Sequence, residues 1–220
     1  MLRLTIVDRI YHIIDVKTRK LRAKGKRKKL NNTDFTIISN NCWGGITYEE
    51  FGLRKNSPTI GGYFFSDDYL KFVKNLKYYL SLDLTFIPVE KAAHSKWIIE
   101  NGDNKAIVGV LDDVEIVFIH YPSKEVVYRK WTDRVKRVNW DNLIFKFSKQ
   151  NHATDDMVRE FDEAELPGKK FVFVNKKEGY RCGVYYPGYD NDDEVSNDAY
   201  FSNRYWDVIH FINTGEIKLK

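Results

Sequence analysis

Short runs of β-branched and aromatic residues alternate along this 220-residue chain with longer stretches that are apolar at every third or fourth position. That alternation admits few architectures. Unbroken apolar runs make buried strands, and the helical period makes helices that must bury one face. Taken in turn, they predict an α/β fold: a mixed or mostly parallel sheet flanked by helices. Residues 35–38, 63–65, 84–89, 105–111, 114–119, 143–147, 171–174 and 182–186 read as strands. The clearest helix spans 66–80, with Tyr69, Phe72, Val73, Leu76, Tyr79 and Leu80 on one stripe. Ser66 is its expected N-cap, ahead of Asp67 and Asp68 in the first turn. Further helices are predicted at 123–138, at 154–164 behind a Thr154 cap, and near 205–212. Asp112 and Asp113 separate two apolar runs and predict a hairpin. The first strand runs into a polar, glycine-rich turn at 39–45, followed by one helical turn at 48–51.

The charge is concentrated. Nine of the thirteen residues at 17–29 are basic and none is acidic. The whole chain holds 36 basic and 31 acidic residues, so without this run it would hold 27 against 31. A nucleic-acid-binding domain more often spreads positive charge over a folded face, and no specific nucleic-acid partner is expected. Ahead of the run, Leu2, Ile6, Ile10, Ile13 and Ile14 recur at helical spacing. The expected division is therefore an amphipathic helix and basic linker at 1–30, then a single α/β domain at 31–220. The helix either packs on the domain or lies on an anionic membrane surface through residues 2–29, and unspecific RNA binding by the basic run is a third reading. No stretch has the ~20 apolar residues of a membrane-spanning helix. Asp8 and Arg9 interrupt any secretion signal, and two cysteines are too few for a disulfide framework. A cytoplasmic protein, at most peripheral on the inner membrane face, is the expectation.

Ligands of open α/β sheets bind beyond the carboxyl ends of the strands. Two strands end in reactive chemistry there. One gives Asn40, Asn41, Cys42, Trp43, Gly44 and Gly45; the other gives His120 and Tyr121. Cys42 is either a nucleophile with His120 as its base or a small buried residue. The helix at 123–138 supplies Lys130, Arg134 and Arg137, followed by Asn139, Trp140 and Asn142. Arginine suits phosphate or carboxylate, and tryptophan beside amides suits a sugar or a base. Asp112, Asp113 and Glu115 could hold a divalent metal with a nucleotide sugar, though acidic turns are common and no metal ligand is assigned. The acidic stretch Asp190, Asp192, Asp193, Glu194 and Asp198 lacks calcium-loop spacing and reads as solvated.

The blocks 39–45 and 57–61 resemble the start of an uncharacterised bacterial family whose members are often labelled exopolysaccharide or capsular polysaccharide biosynthesis proteins. Phe118-Ile119-His120-Tyr121 is similar to that family's Phe-Leu-His-Tyr. Trp131, Arg134, Arg137, Asn139, Trp140 and Asn142 are similar to its Trp-x-x-Arg-x-x-Arg-hydrophobic-Asn-Trp-x-Asn block. Gly61-Gly62 departs mildly from the Gly-Leu frequent in members. The resemblance covers roughly residues 34–213. It implies an α/β domain, a link to surface polysaccharide and Ser57 as a further site residue, but no established reaction.

Three functions compete. One is a transferase acting on a nucleotide-activated or phosphorylated sugar, with His120 as base and Arg134 and Arg137 on phosphate. Another is a non-catalytic carbohydrate-binding or membrane-associated assembly protein. The last is an acyltransferase dependent on Cys42. Neither a Walker loop nor a Rossmann glycine pattern is present. If the shared-site reading holds, Asn41, Cys42, His120, Arg134 and Asn139 border one cleft.

Overall fold

A computed structural model describes residues 6–177, 179–201 and 204–220, and the side chains of these apart from residues 6–9 and 201. The fold is α/β, and its strands form two sheets rather than one. β1 (Thr36–Ser39), β6 (Leu143–Ser148), β7 (Lys169–Val174) and β8 (Gly183–Tyr185) lie parallel, in that order. β2 (Gly62–Tyr63), β5 (Val114–Phe118), β4 (Ile107–Leu111) and β3 (Thr85–Ile87) form an antiparallel sheet. β4 and β5 make the expected hairpin, and Asp112 turns it with φ 55°. Asp tolerates that left-handed conformation better than most residues.

The parallel strands are buried on both faces, which explains their unbroken apolar runs. One face packs on α3 (Ser66–Lys74), α4 (Leu76–Ser81), α6 (Lys124–Val135) and α7 (Asp155–Glu163), through Phe145, Phe147, Phe72, Trp131 and Phe161. The other packs on α2 (Trp43–Phe51) and α8 (Val208–Thr214), through Ile37, Ile144, Phe171, Trp43, Trp206 and Phe211. The α5 helix (Ser95–Glu100) covers the antiparallel sheet with Ile98.

Three local readings change. The helix expected at 66–80 breaks at Asn75, whose φ of −125° and ψ of 39° are not helical. Ser66 is its first residue rather than its cap, and its hydroxyl donates to the Gln150 carbonyl. The turn expected at 39–45 already contains the start of α2. Gly44 and Gly45 allow that start: a Cβ on either would come within 3.2 Å of Ile37 Cγ2 or 3.1 Å of Ile60 Cγ2. Thr154 does cap α7, accepting from the Met157 amide.

The basic run is not a linker. It continues α1 (Ile6–Arg27), whose inner face docks on α2. Arg19 pairs with Glu49 at 3.2 Å and Lys26 with Glu50 at 3.0 Å. Asp15 lies between Arg19 and Arg22; although burial opposes its ionisation, the two guanidiniums hold its carboxyl below the usual range. No described helix is long and apolar enough to cross a membrane.

Candidate active site

Cys42 stands where β1 has ended and α2 begins, at the carboxyl end of a parallel strand. His120 stands two residues past the end of β5, in the other sheet. The two sheets meet so that Cys42 Sγ and His120 Nε2 are 3.3 Å apart. Both line a cleft of about 410 Å³. His120 is held from behind, because its amide and that of Ile119 donate to the Gly61 carbonyl. Gly61 has φ +93°, and a Cβ there would fall 2.5 Å from the Tyr121 ring, so only glycine fits.

The cleft wall is cationic. Arg134 lines it and is 7% exposed; its Nη1 donates to the Ile60 carbonyl and to the Tyr121 hydroxyl. Lys55 and Arg19 face it too, with Glu49 between them as the sole acidic lining residue among the described residues. Arg19 Nε is buried and has no hydrogen-bond partner among the described residues. From α1 come His12 and Val16 as well, and Tyr200 closes the same side with its ring edge-on to His12. At the start of α2, Gly45 lines the cleft beside Cys42. Its amide falls among the first-turn N–H groups that have no intrahelical acceptor.

Beneath Cys42 lies a buried polar network. Lys146, fully buried in the middle of β6, pairs with Asp198 at 2.5 Å. It also donates to Asn41 Oδ1 at 2.8 Å and Asn40 Oδ1 at 3.1 Å. Asp198 further accepts from Asn41 Nδ2 and from the Ser148 hydroxyl. The Asn41 Oδ1 takes the Trp43 amide, so the network also fixes the first turn of α2. Burial pulls the Lys146 pKa down to about 8, against the pull of Asp198. Burial, with the Asp198 charge behind it, pushes the Cys42 thiol up to about 11. The Cys42 sulfur therefore rests as a thiol at neutral pH, 3.3 Å from His120 Nε2 and within hydrogen-bond reach of it.

The expected site residues divide. Cys42, Gly45, His120, Tyr121 and Arg134 line the cleft. Asn40 and Asn41 lie beneath it, gripping Lys146 rather than open to a ligand. Arg137 stands outside, its Nη2 donating to the Lys55 carbonyl. Trp43 is core, packed edge-on against Phe171 and beside Trp206. Gly44 packs on Ile37 and Ser39. Ser57 is fully buried and bonds with the Thr59 hydroxyl. Asn139 and Asn142 both donate to the Asp34 carbonyl and fasten the approach to β1, so Asn139 does not border the cleft. The acidic turn is engaged elsewhere: Tyr78 and Tyr79 donate to Asp112 and Asp113, and Glu115 accepts from the Ala93 amide. Asp198 is not solvated as expected but is the buried partner of Lys146. Lys146 carried a readable signal, a lone charge inside a strand otherwise apolar. Arg19 and Lys55 carried none that separated them from neighbouring surface cations.

Residues 13–214 match the profile of a protein family described as a domain of unknown function, DUF1919. An uncharacterized protein of Haemophilus influenzae is 29% identical over 192 residues, covering 84% of this chain and 86% of the relative. Neither description names an activity or mentions polysaccharide synthesis. The matched span contains Cys42, His120, Arg134, Lys146 and Asp198, and this chain belongs to the DUF1919 family.

Proposed function

We propose that this protein is an acyltransferase that works through Cys42, with a phosphorylated sugar as acceptor. The observation that carries the reading is the 3.3 Å contact between Cys42 Sγ and His120 Nε2 inside a cleft. A nucleophile and its base within hydrogen-bond reach are what covalent catalysis requires. The His120 Nε2 takes the thiol proton as sulfur attacks the donor's carbonyl carbon. The donor's leaving group departs with that proton, and a thioester remains on Cys42. His120 then takes the acceptor's hydroxyl proton, the alkoxide attacks the thioester, and the sulfur regains a proton from the imidazolium. The Gly45 amide, in the first turn of α2, then serves as donor to the oxyanion of each tetrahedral intermediate. Arg19, Lys55 and Arg134 supply positive charge for the acceptor's phosphate. The surface-polysaccharide setting is supported by the resemblance of the 39–45 and 131–142 blocks alone.

A second reading rests on the raised Cys42 pKa, about 11. A thiol kept protonated can simply orient His120, which would then act directly as the base of a sugar or phosphosugar transferase. Incubation with p-nitrophenyl acetate and intact-mass spectrometry separate the two. The first reading expects an acetyl adduct on Cys42, absent from Cys42→Ala and slow to form in His120→Ala. Its discharge should accelerate with a hexose phosphate. No adduct on Cys42 at any pH, with transferase activity retained in Cys42→Ala, selects the second reading.

A further inference from the structure

An amphipathic helix that docks on its own domain normally turns its apolar stripe inward. In α1 the arrangement is inverted. The inner face is Tyr11, Asp15, Arg19, Ala23 and Lys26; only Tyr11 and Ala23 pack apolar surface there, and the three charged residues are held by ion pairs to one another and to α2. The outer face carries Ile10, Ile13, Ile14 and Leu21, between 51% and 83% exposed. At 100° per residue, Lys17, Lys20, Lys24 and Lys28 fall on that same outer face, and all four are exposed. Between residues 10 and 29 the only acidic side chain is Asp15, which is buried and paired. The outward surface is thus an isoleucine patch that continues into a row of lysines, with no described acid on it.

We propose that the outer face of α1 docks on an anionic lipid bilayer. The apolar patch inserts at the headgroup boundary, and the lysines meet the lipid phosphates beside it. Charge complementarity selects this occupant: a second copy would bring its own lysine row against the first and be repelled. The face also adjoins the cleft, because Val16, 48% exposed, belongs to α1 and lines it together with His12 and Arg19. A docked chain therefore holds the cleft against the membrane, where an acceptor or donor with a lipid tail would be presented. This docking does not depend on the chemistry at Cys42.

The test is co-sedimentation of the full chain with vesicles of phosphatidylcholine alone and of phosphatidylcholine containing phosphatidylglycerol. Binding is expected to the second only, and to fall as salt rises. Replacing Lys17, Lys20, Lys24 and Lys28 by Gln should weaken it about fivefold for each lysine removed. The triple variant Ile10→Gln, Ile13→Gln, Ile14→Gln should also release the protein while leaving Cys42 labelling and thermal stability unchanged. Equal binding to both vesicles, or none to either at low salt, overturns the proposal. So does a concentration-dependent dimer that the isoleucine variant abolishes, since that face would then be covered by a second copy. Retention on RNA in preference to anionic vesicles would likewise overturn it.

Discussion

Cys42 Sγ rests 3.3 Å from His120 Nε2 although the two residues follow strands of different sheets, one parallel and one antiparallel. The contact therefore reports how the sheets are docked. The buried surroundings of the sulfur govern its ionisation. Burial, then the Asp198 charge, raises the Cys42 pKa to about 11, so the protonated form prevails below that pH. Alkylation by iodoacetamide should be slow at neutral pH and rise about tenfold per pH unit toward 11, because the thiolate is the reactive species. Cys182 should not compete, since burial and the neighbouring Asp162 push its thiol higher still. Peptide mass spectrometry across pH reads both sites. A rate for Cys42 already at its plateau near pH 6 would instead mean a standing thiolate–imidazolium pair.

The Lys146–Asp198 pair should be strongly coupled. Both groups are at most 1% exposed, so removing either strands the other's charge in the core. Lys146→Met or Asp198→Leu alone should cost ~3–5 kcal/mol, and the double variant far less than the two costs added. Urea unfolding of the four proteins gives the cycle. A pH dependence follows. Lys146 has a folded pKa of about 8, below the usual 10.5 of lysine. Between those values the unfolded chain binds the extra proton, so this group's contribution to stability rises with pH across that window and is flat below it. Subtracting the Lys146→Met profile from that of wild type isolates the effect. A difference that falls with pH between 8 and 10.5 would contradict the placement of Lys146.

This network shows what a linear reading can reach. The strand at β6 was legible, and within it a lone lysine in a run buried on both sides demanded a partner. The partner was not legible. Asp198 lies 52 positions on from Lys146, among acidic neighbours that are mostly exposed, and only the fold selects it. The hairpin at Asp112 and the Thr154 cap were readable because each is a local contest of turn and cap chemistry. The start of α2 was not, because Trp-Gly-Gly has poor helix propensity and forms helix there through close packing on Ile37 and Ile60. Likewise Cys42 and His120 could be singled out, but their meeting depended on a second sheet where one had been expected.

Trp43 separates a structural from a binding role. Its side chain is 1% exposed and packs against Phe171, Phe173 and Trp206. Trp43→Ala should cost ~3–5 kcal/mol through the cavity it leaves. Trp43→Phe should recover much of that stability and preserve Cys42 alkylation kinetics. Thermal unfolding and the labelling assay check the pair. A Trp43→Ala protein of undiminished stability would mean that the ring stands outside the core.

Gly61 ties the fold of the loop to the chemistry of the cleft. Its φ of +93° is a conformation that a side chain resists, and its Cβ position lies 2.5 Å from the Tyr121 ring. Tyr121 cannot retreat freely, because its hydroxyl donates to the Ile60 carbonyl and accepts from Arg134. The same Gly61 carbonyl receives the amides of Ile119 and His120. Gly61→Ala should therefore lose roughly 1–3 kcal/mol by backbone strain and overpacking. It should also move His120 and change the alkylation profile of Cys42, which a purely structural defect elsewhere would leave alone. The control is Gly102→Ala: that glycine has φ +85° but nothing within 4 Å of its Cβ position. Backbone strain alone acts there, so Gly102→Ala should lower the melting temperature less and leave the Cys42 profile unchanged. If both variants alter Cys42 equally, the link from Gly61 through His120 to the thiol does not exist.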